Sequence, residues 1–272
     1  MPHIFTDQVV VITGGTSGIG EALVKQCLAY GSKVATCGRN ADKLEKLKST
    51  LGSEKLYTFA ADVSIQEDCK TFIYNTVQRF GRIDILINNA GMSMRALFAD
   101  LDDLVVIKNL MDVNFWGCVY CSWYAMPQLQ KNKGILVGVS SIAGYRGLPG
   151  RAGYSASKFA MQGFLEVLRT ENLKTGLHVM WVSPGFTSSN IRNTALNAQG
   201  VAQAETPLEE GKLMSAEEVA RQILTAVKQR RRTRVMTFQG KITVWLNKFF
   251  PSLTDKLVYN HFAKEPGSPL KK

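Results

Sequence analysis

The sequence predicts a single doubly wound α/β domain, in which a seven-stranded parallel sheet is flanked by helices on both faces. Short runs rich in Val, Ile and Leu alternate with segments of helical periodicity from the first residues onward. The runs are apolar at almost every position, which is typical of strands covered on both faces. No internal repeat or low-complexity linker interrupts the alternation, and 272 residues suit one domain of this class.

The first half of the chain supplies four of the seven strands. They are "QVVVIT" (8–13), "KVATC" (33–37), "KLYTFA" (55–60) and "IDILIN" (83–88). Apolar residues at helical spacing separate them, near 18–30, 41–51 and 65–80. β-branched runs favour strands, so strand and helix alternate as parallel pairing requires.

The second half continues the pattern with three more strands. They are "GILVGVS" (134–140), "LHVMWVS" (177–183) and "RVMTF" (234–238). The accompanying helices are predicted near 104–130, 154–175 and 215–229. We therefore assign the domain to residues 1–238 and treat residues 239–272 as a basic and aromatic C-terminal appendage.

Composition and the N-terminal segment point to a folded, cytoplasmic protein. The apolar fraction of 45% supports a full core. No run approaches the ~18 apolar residues of a membrane-spanning helix, and "MPHIFTDQ" lacks a basic segment followed by an apolar one. We therefore expect a cytoplasmic location.

The five cysteines are odd in number and scattered, at Cys27, Cys37, Cys69, Cys118 and Cys121. This distribution does not suggest a disulfide framework. Cys118 and Cys121 form a C-x-x-C, but the surrounding "NFWGCVYCSWYAM" is typical of a buried helix and contains no further ligands for zinc. The pattern favours core packing over a metal or redox site.

The net charge of +11 is concentrated near the C-terminus. Residues 228–272 contain eleven basic and two acidic residues, a net charge of +9. Their segment "KQRRRTR" (228–234) would attract phosphates without sequence preference. It lies at a predicted helix end before a strand and has no evident stacking platform, so we do not expect nucleic-acid binding.

The segment "AGYSASKFAMQGF" (152–164) places Tyr154 and Lys158 four positions apart. In a helix these residues lie on one face, one above the other. One interpretation is a phenol that caps the core and a lysine that extends past it. The other is a functional pair, and the two residues alone do not distinguish them.

A glycine-rich segment, "TGGTSGIGEAL" (13–23), follows the first strand. Gly14, Gly18 and Gly20 would permit a tight turn, close approach of a pyrophosphate and an anion-binding helix N-terminus. Three glycines after a strand can also form an ordinary turn. The spacing T-G-x-x-x-G-x-G at the first strand-to-helix junction favours a Rossmann-type dinucleotide site.

Further motifs follow in a fixed order. "NNAG" (88–91) comes after the fourth strand, Asn114 lies in the next helix, Ser141 closes the fifth strand, and "YSASK" (154–158) and "SPG" (183–185) follow. Over about residues 5–238 the chain resembles the short-chain dehydrogenase/reductase family, in the branch with 11β-hydroxysteroid dehydrogenase and lipid-ketone reductases.

The resemblance implies a catalytic set of Asn114, Ser141, Tyr154 and Lys158. Hydride addition to a carbonyl leaves an alkoxide that needs a proton, and a phenol of pKa ~10 is a poor acid–base group near neutrality. We expect Lys158 to lower the pKa of Tyr154 and, by resemblance, to hold the nicotinamide ribose. Ser141 would stabilise charge on the substrate oxygen, and Asn114 would hold a relay water. Ser140 is the alternative to Ser141 but lacks the family spacing to Tyr154.

The end of the second strand favours NADP(H) as the cofactor. An acidic residue there would bind the adenosine ribose and repel a 2′-phosphate, whereas this chain has Gly38 followed by Arg39 and Asn40. A solvated arginine at a helix start is the alternative interpretation of Arg39.

Other cofactor contacts follow from the resemblance, with Asp62 at the adenine and Thr187 at the nicotinamide carboxamide. Val63 is included, although it also suits the core. The predicted set is Gly14, Thr16, Ser17, Gly18, Ile19, Gly20, Arg39, Asn40, Asp62, Val63, Asn89, Ala90, Gly91, Tyr154, Lys158, Pro184, Gly185 and Thr187.

The implied activity is NADP(H)-dependent interconversion of a carbonyl and a secondary alcohol. An apolar substrate is expected, such as a steroid, a keto-lipid or a xenobiotic ketone. A non-catalytic NADP-binding sensor or scaffold is the alternative. The polar segment after "SPG" is predicted to form a mobile lid, in which Arg192 is either solvated or meets an anion. By resemblance we also expect a homodimer or homotetramer.

The appendage gathers ten large apolar residues among lysines in "KITVWLNKFFPSLTDKLVYNHFA" (241–263). Such a segment could lie on an anionic membrane, cover the substrate pocket, or pack on the body or a partner subunit. The sequence leaves these alternatives open.

Overall fold

The computed structural model describes residues 5–185, 187, 191, 194–203 and 213–271. Its centre is one parallel sheet in the order β3-β2-β1-β4-β5-β6-β7. The strands are β1 (Val9–Thr13), β2 (Lys33–Gly38), β3 (Leu56–Ala60), β4 (Ile85–Asn88), β5 (Ile135–Val139), β6 (His178–Ser183) and β7 (Thr233–Val235). The predicted seven-stranded, doubly wound fold is confirmed.

The helices of the domain lie close to their predicted positions, and two more form in the appendage. They are α1 (Gly18–Ala29), α2 (Ala41–Leu51), α3 (Gln66–Phe80), α4 (Val105–Met111), α5 (Gly117–Lys131), α6 (Ala152–Glu171), α7 (Ala216–Lys228), α8 (Phe238–Phe249) and α9 (Pro251–Ala263). No helix among the described ranges is both long enough and apolar enough to cross a membrane.

Alternate strand residues build two apolar layers, one on each face of the sheet. In β1, Val10 and Ile12 pack with residues of α1 and α7. Val11 faces the opposite layer, with residues of α3, α5 and α6. This two-sided burial explains why the strands are apolar at successive positions.

The sheet order places a crevice at the carboxyl end of β1. β1 pairs with β2 on one side and with β4 on the other, so the connections leaving these strands diverge to opposite sides. Ligands of open parallel sheets bind at such a point. The glycine-rich loop and the "NNAG" loop both begin there.

Two predicted elements differ from the structure. The segment predicted as one helix over 104–130 contains a five-residue π-helical turn, Asp112–Trp116, between α4 and α5. Its apolar periodicity continues through the turn, so the sequence pattern does not distinguish the two hydrogen-bond patterns. The last strand ends at Val235 instead of 238, because the Thr237 side chain accepts from the Gly240 N–H and caps α8.

The five cysteines are all buried. Cys118 and Cys121 pack in the layer formed with α3 and α5, which confirms core packing at these positions. Burial raises the pKa of the Cys118 thiol to about 12. A thiol held this far from ionisation is a poor nucleophile.

Candidate active site

The glycine-rich loop is close-packed in a way that excludes side chains. A Cβ on Gly20 would lie 2.1 Å from the Gly14 carbonyl oxygen, and one on Gly14, whose φ is +72°, would lie 2.9 Å from Cα of Ala90. Ser17 caps α1 without a side-chain hydrogen bond to the first turn. The loop therefore forms a narrow cradle at a helix N-terminus, a geometry that fits a pyrophosphate.

The loop after β4 is fixed directly to this cradle. The Thr13 hydroxyl oxygen accepts from the N–H groups of Asn89 and Ala90, each at 3.0 Å. The Asn89 amide donates back to the carbonyl oxygens of Thr13 at 3.0 Å and Gly14 at 3.2 Å. These bonds hold the two loops in one arrangement.

Asn114 lies in the π-helical turn, fully buried, and binds the neighbouring loop. Its Oδ1 accepts from the Met92 N–H at 2.8 Å, and its Nδ2 donates to the Met92 carbonyl at 3.0 Å and to Ser157 Oγ at 2.9 Å. Ser157 in turn donates to the Tyr154 carbonyl at 2.8 Å. Asn114 thus connects the loop after β4 to the helix that carries Tyr154.

Tyr154 and Lys158 lie on one face of α6, as their spacing predicts. Lys158 Nζ is 5.8 Å from the Tyr154 ring centroid and donates to the Val139 carbonyl at 2.9 Å. Burial lowers the pKa of Lys158 from 10.5 to about 8, because the charged ammonium loses its hydration.

The pKa of Tyr154 is raised, mainly by burial. A hydrogen bond with Ser141 and the positive charge of Arg151 act in the opposite direction but do not outweigh it. The expected net lowering of the Tyr154 pKa is therefore not found in this structure, because desolvation is the larger effect.

The two adjacent serines have different surroundings. Ser141 Oγ accepts from the Ala143 N–H at 3.2 Å and hydrogen-bonds with Tyr154. Ser140 Oγ is buried and accepts from Gln162 Nε2 at 2.8 Å. Ser141 is thus the serine paired with the tyrosine.

The residues predicted at the adenosine end meet beyond β2. Arg39 Nη1 is 3.9 Å from Asp62 Oδ2, and the Arg39 side chain is 69% exposed. Asn40 accepts from the Lys43 N–H at 2.8 Å and caps α2. Lys43 also lines this region, a contact that sequence reasoning missed although Lys43 follows Arg39 by one helical turn.

One cavity of about 1600 Å³ joins these features. Every predicted site residue lines it except Asn114, which lies directly behind: a Cβ on Gly91 would be 3.1 Å from Asn114 Oδ1. Val63 both lines the cavity and belongs to the core. Arg192 and part of the predicted lid fall outside the described residues.

The cavity is also lined by α8 and α9, so the appendage covers the pocket, one of the alternatives left open by the sequence. Gly240 packs against Ile142, beside Ser141. The residues of α8 and α9 that line the cavity are Phe238, Gln239, Gly240, Ile242, Thr243, Leu246, Thr254, Leu257, Val258, His261 and Phe262. The sequence did not predict which residues of the appendage line the cavity, because no local pattern shows which side of a helix contacts the domain.

Comparison with known proteins identifies relatives of this arrangement. The sequence model of the family described as short chain dehydrogenase matches residues 8–200. An 11-beta-hydroxysteroid dehydrogenase-like 2 from Arabidopsis thaliana is 40% identical over 189 residues, which are 68% of this chain and 61% of the relative's length. The chain thus spans less than two thirds of that relative.

Other relatives align over more of the chain. An 11-beta-hydroxysteroid dehydrogenase-like 4A from Arabidopsis thaliana is 34% identical over 90% of this chain and 82% of its own length. An 11-beta-hydroxysteroid dehydrogenase A from Sesamum indicum is 30% identical over 97% of this chain and 78% of its own.

Solved structures support the fold. A short chain dehydrogenase/reductase from Burkholderia phymatum in complex with NAD superposes with a TM-score of 0.80 at 22% identity, covering 92% of this chain and 95% of its own. A short chain dehydrogenase from Burkholderia cenocepacia in complex with NADP gives 0.79 at 20% identity, covering 93% and 98%. The family model matches most of the chain, and the protein has both the glycine cradle and the Ser141–Tyr154–Lys158 cluster. The chain therefore belongs to the short-chain dehydrogenase/reductase family of oxidoreductases.

Proposed function

We propose that this protein is an NADP(H)-dependent oxidoreductase that interconverts a carbonyl group and a secondary alcohol on an apolar substrate. The observation that carries the proposal is the continuity of one cavity, which runs from the glycine cradle past Ser141, Tyr154 and Lys158 to the apolar side chains of α8 and α9. A bound dinucleotide and an organic substrate would meet at Tyr154.

The cradle and the loop after β4 would hold a nicotinamide dinucleotide, which when bound supplies or accepts the hydride. The N-terminus of α1 offers N–H groups to the pyrophosphate. Arg39 and Lys43 support a preference for NADP(H), because two cations, with Gly38 in place of an acidic residue at the end of β2, suit a 2′-phosphate.

Tyr154 would exchange the proton. Its raised pKa keeps the phenol protonated at neutral pH, the form that gives a proton to a nascent alkoxide during reduction. Ser141, hydrogen-bonded to Tyr154, would donate to the same substrate oxygen and stabilise developing charge. Lys158 would contact the nicotinamide ribose. Asn114 would hold the loop after β4, through Met92, in a fixed position relative to α6.

The far side of the cavity supports the proposed substrate class. Leu246, Leu257, Val258 and Phe262 present hydrocarbon there, and apolar walls favour apolar ligands. The relatives named 11-beta-hydroxysteroid dehydrogenase are consistent with a steroid, and a keto-lipid or xenobiotic ketone would satisfy the same walls.

Substitution of Tyr154 by Phe tests this proposal. We expect turnover to fall by ~10²-fold or more, because the proton donor is deleted, while NADPH affinity stays close to wild type. Rates are followed by NADPH absorbance over a panel of ketones and affinity by NADPH fluorescence. Tyr74→Phe, at an exposed tyrosine of α3, is the matched control.

Retention of turnover in Tyr154→Phe would refute the assigned role. A wild-type protein that binds NADPH but reduces no ketone and oxidises no alcohol would instead favour the sensor or scaffold alternative.

We also propose that the outer face of α8 and α9 contacts an anionic membrane surface from the cytoplasmic side. Trp245, Phe249, Phe250 and Leu253 lie outside the cavity lining and are 50–55% exposed. Exposed lysines at 241, 248 and 256 surround them. Aromatic side chains among lysines suit the interface of an anionic bilayer.

A further inference from the structure

A buried charge cluster lies where the end of the chain meets the domain. Glu265 Oε2 is 3.9 Å from Nη2 of Arg95 and 3.9 Å from Nη2 of Arg151. The three side chains are 5%, 15% and 12% exposed, respectively. We refer to Glu265, Arg95 and Arg151 as the Glu265 cluster.

The last turn of α9 and the segment after it contact each arginine a second time. Arg95 Nη2 donates to the Pro266 carbonyl at 2.6 Å. The Arg151 guanidinium lies 4.9 Å from the centroid of the Phe262 ring, in cation–π contact. Both cations are therefore held by the same short stretch that contains Glu265.

The arginines belong to separate segments that border the cavity. The Arg95 N–H donates to the Leu196 carbonyl at 2.8 Å, and the Ala96 N–H donates to the Gly150 carbonyl at 3.0 Å. Leu196 and Arg151 line the cavity. The Glu265 cluster thus joins the C-terminal segment to three loops around the substrate end.

Stability alone does not account for these charges. Within the described residues, Glu265 Oε1 and Arg95 Nε are buried without a hydrogen-bond partner. Burying an ion pair costs desolvation, which is recovered only with well-formed hydrogen bonds. Replacement of a buried ion pair by apolar side chains is often neutral or stabilising, so a role of this cluster in positioning is an alternative to a role in stability.

Arg151 connects the cluster to the reacting tyrosine. It is the N-cap residue of α6, three positions before Tyr154. Among the described residues, Arg151 and Lys158 are the cations beside Tyr154, and Ser141 is its hydrogen-bond partner. A carboxylate that pairs with Arg151 reduces the positive potential that Tyr154 experiences.

We propose that Glu265 is a positioning residue that couples closure of the C-terminal helices over the substrate to the placement and effective charge of Arg151 beside Tyr154. Carbonyl reduction by Tyr154 is the proposed function, and the coupling part of the inference rests on it. The closure part does not, since it concerns contacts of the protein alone.

Glu265→Gln tests the inference, because it removes the charge and keeps the shape. Glu166→Gln is the matched control, since Glu166 makes an exposed ion pair with Arg232 at 3.4 Å. Hydrogen exchange of residues 251–270 reports closure without any need for turnover. We expect faster exchange there in Glu265→Gln and no change in Glu166→Gln.

Kinetics report the coupling. In Glu265→Gln we expect KM for an apolar ketone to rise roughly tenfold, within the range of transmitted effects, while NADPH affinity is unchanged. The alkaline limb of the kcat profile should move to lower pH, because the uncompensated Arg151 charge favours the phenolate. Glu265→Asp, which keeps the carboxylate, should return the alkaline limb to its wild-type pH.

The outcomes separate the two proposals. Unchanged exchange in Glu265→Gln overturns the inference. Faster exchange with an unmoved pH limb shows a structural contact only and also overturns it. If the wild type reduces no ketone, the proposed function fails, and faster exchange in Glu265→Gln would still support the closure contact.

Discussion

Lys158 carries its amine in a place that disfavours charge. It is 3% exposed, and among the residues that the structure describes its ammonium donates to the Val139 carbonyl alone. With a pKa near 8, the Lys158 ammonium loses its proton at mildly alkaline pH.

Lys158→Met should stabilise the folded protein at neutral pH. The pKa of Lys158 in the folded protein, about 8, lies below the ordinary 10.5, so between these pH values the unfolded chain binds more protons than the folded one. The buried charge of Lys158 therefore destabilises the folded protein below pH 8, and this cost disappears as the pH rises from 8 to 10.5. The gain at pH 7 is at most ~3 kcal/mol, reduced by loss of the bond to Val139. Urea unfolding at neutral and alkaline pH measures it. A gain that does not shrink with rising pH would contradict the assignment.

Arg39→Ala should weaken NADPH binding much more than NADH binding. Only NADPH carries the 2′-phosphate that Arg39 and Lys43 are proposed to meet, and a charge-assisted contact of this kind contributes ~1.5–3 kcal/mol. Fluorescence titration with both cofactors measures the difference, and Lys46→Ala, at an exposed position of α2, is the control. An equal loss for both cofactors would show that Arg39 acts only through its contact with Asp62.

The pair α8–α9 forms one wall of the cavity. Its inner side buries Thr254, Val258 and Phe262 against the domain. Arg146 reaches across to pair with Asp255 and donates to Asn247 at 3.1 Å, while Asn247 donates to the Tyr145 carbonyl at 2.9 Å. The element is therefore attached to the domain by both apolar and polar contacts.

Truncation after Thr237 should lower the melting temperature and leave NADPH binding in place. The loss of Val258 and Phe262 alone removes ~1.5–3 kcal/mol of burial for each side chain. The cradle and the loop after β4 contain no residue of the deleted part. Calorimetry and NADPH titration of the two proteins measure the effects. Unchanged melting would mean that α8 and α9 do not pack on the domain in solution.

At the scale of the whole molecule, charge and exposed apolar surface coincide. Most of the net positive charge lies in residues 228–272. The same region exposes Trp245, Phe249 and Phe250. The centroid of the Trp245 ring system lies 5.5 Å from that of Phe249 and 5.8 Å from that of Phe250. Exposed apolar patches of this kind mark interaction surfaces.

The double variant Trp245→Ser, Phe249→Ser should lose binding to vesicles that contain phosphatidylserine. Wild-type binding should weaken with salt, because the lysine contribution is screened. Vesicle flotation measures both, and Trp123→Ser, at an exposed tryptophan of α5, is the control. If the double variant instead changes the molecular mass measured by light scattering, the face is a subunit interface, in line with the predicted homo-oligomer.

The sequence by itself determined the alternation of strands and helices, the glycine cradle and the Tyr154–Lys158 pair. Each is encoded within a few residues, by side-chain periodicity, by the backbone freedom of Gly14, or by helical spacing. These features could be predicted because each depends mainly on residues that are close together in the chain.

Only the tertiary structure decided the direction of the Tyr154 pKa shift, the π-helical turn at Asn114, the position of α8 and α9 over the cavity and the contact of Glu265 with Arg151. Desolvation at one atom sums over every element packed around it. Docking of a distant segment depends on complementarity between surfaces that are far apart in sequence. No spacing in the chain records either quantity, since both exist only once the sheet, its helices and the C-terminal segment are packed together.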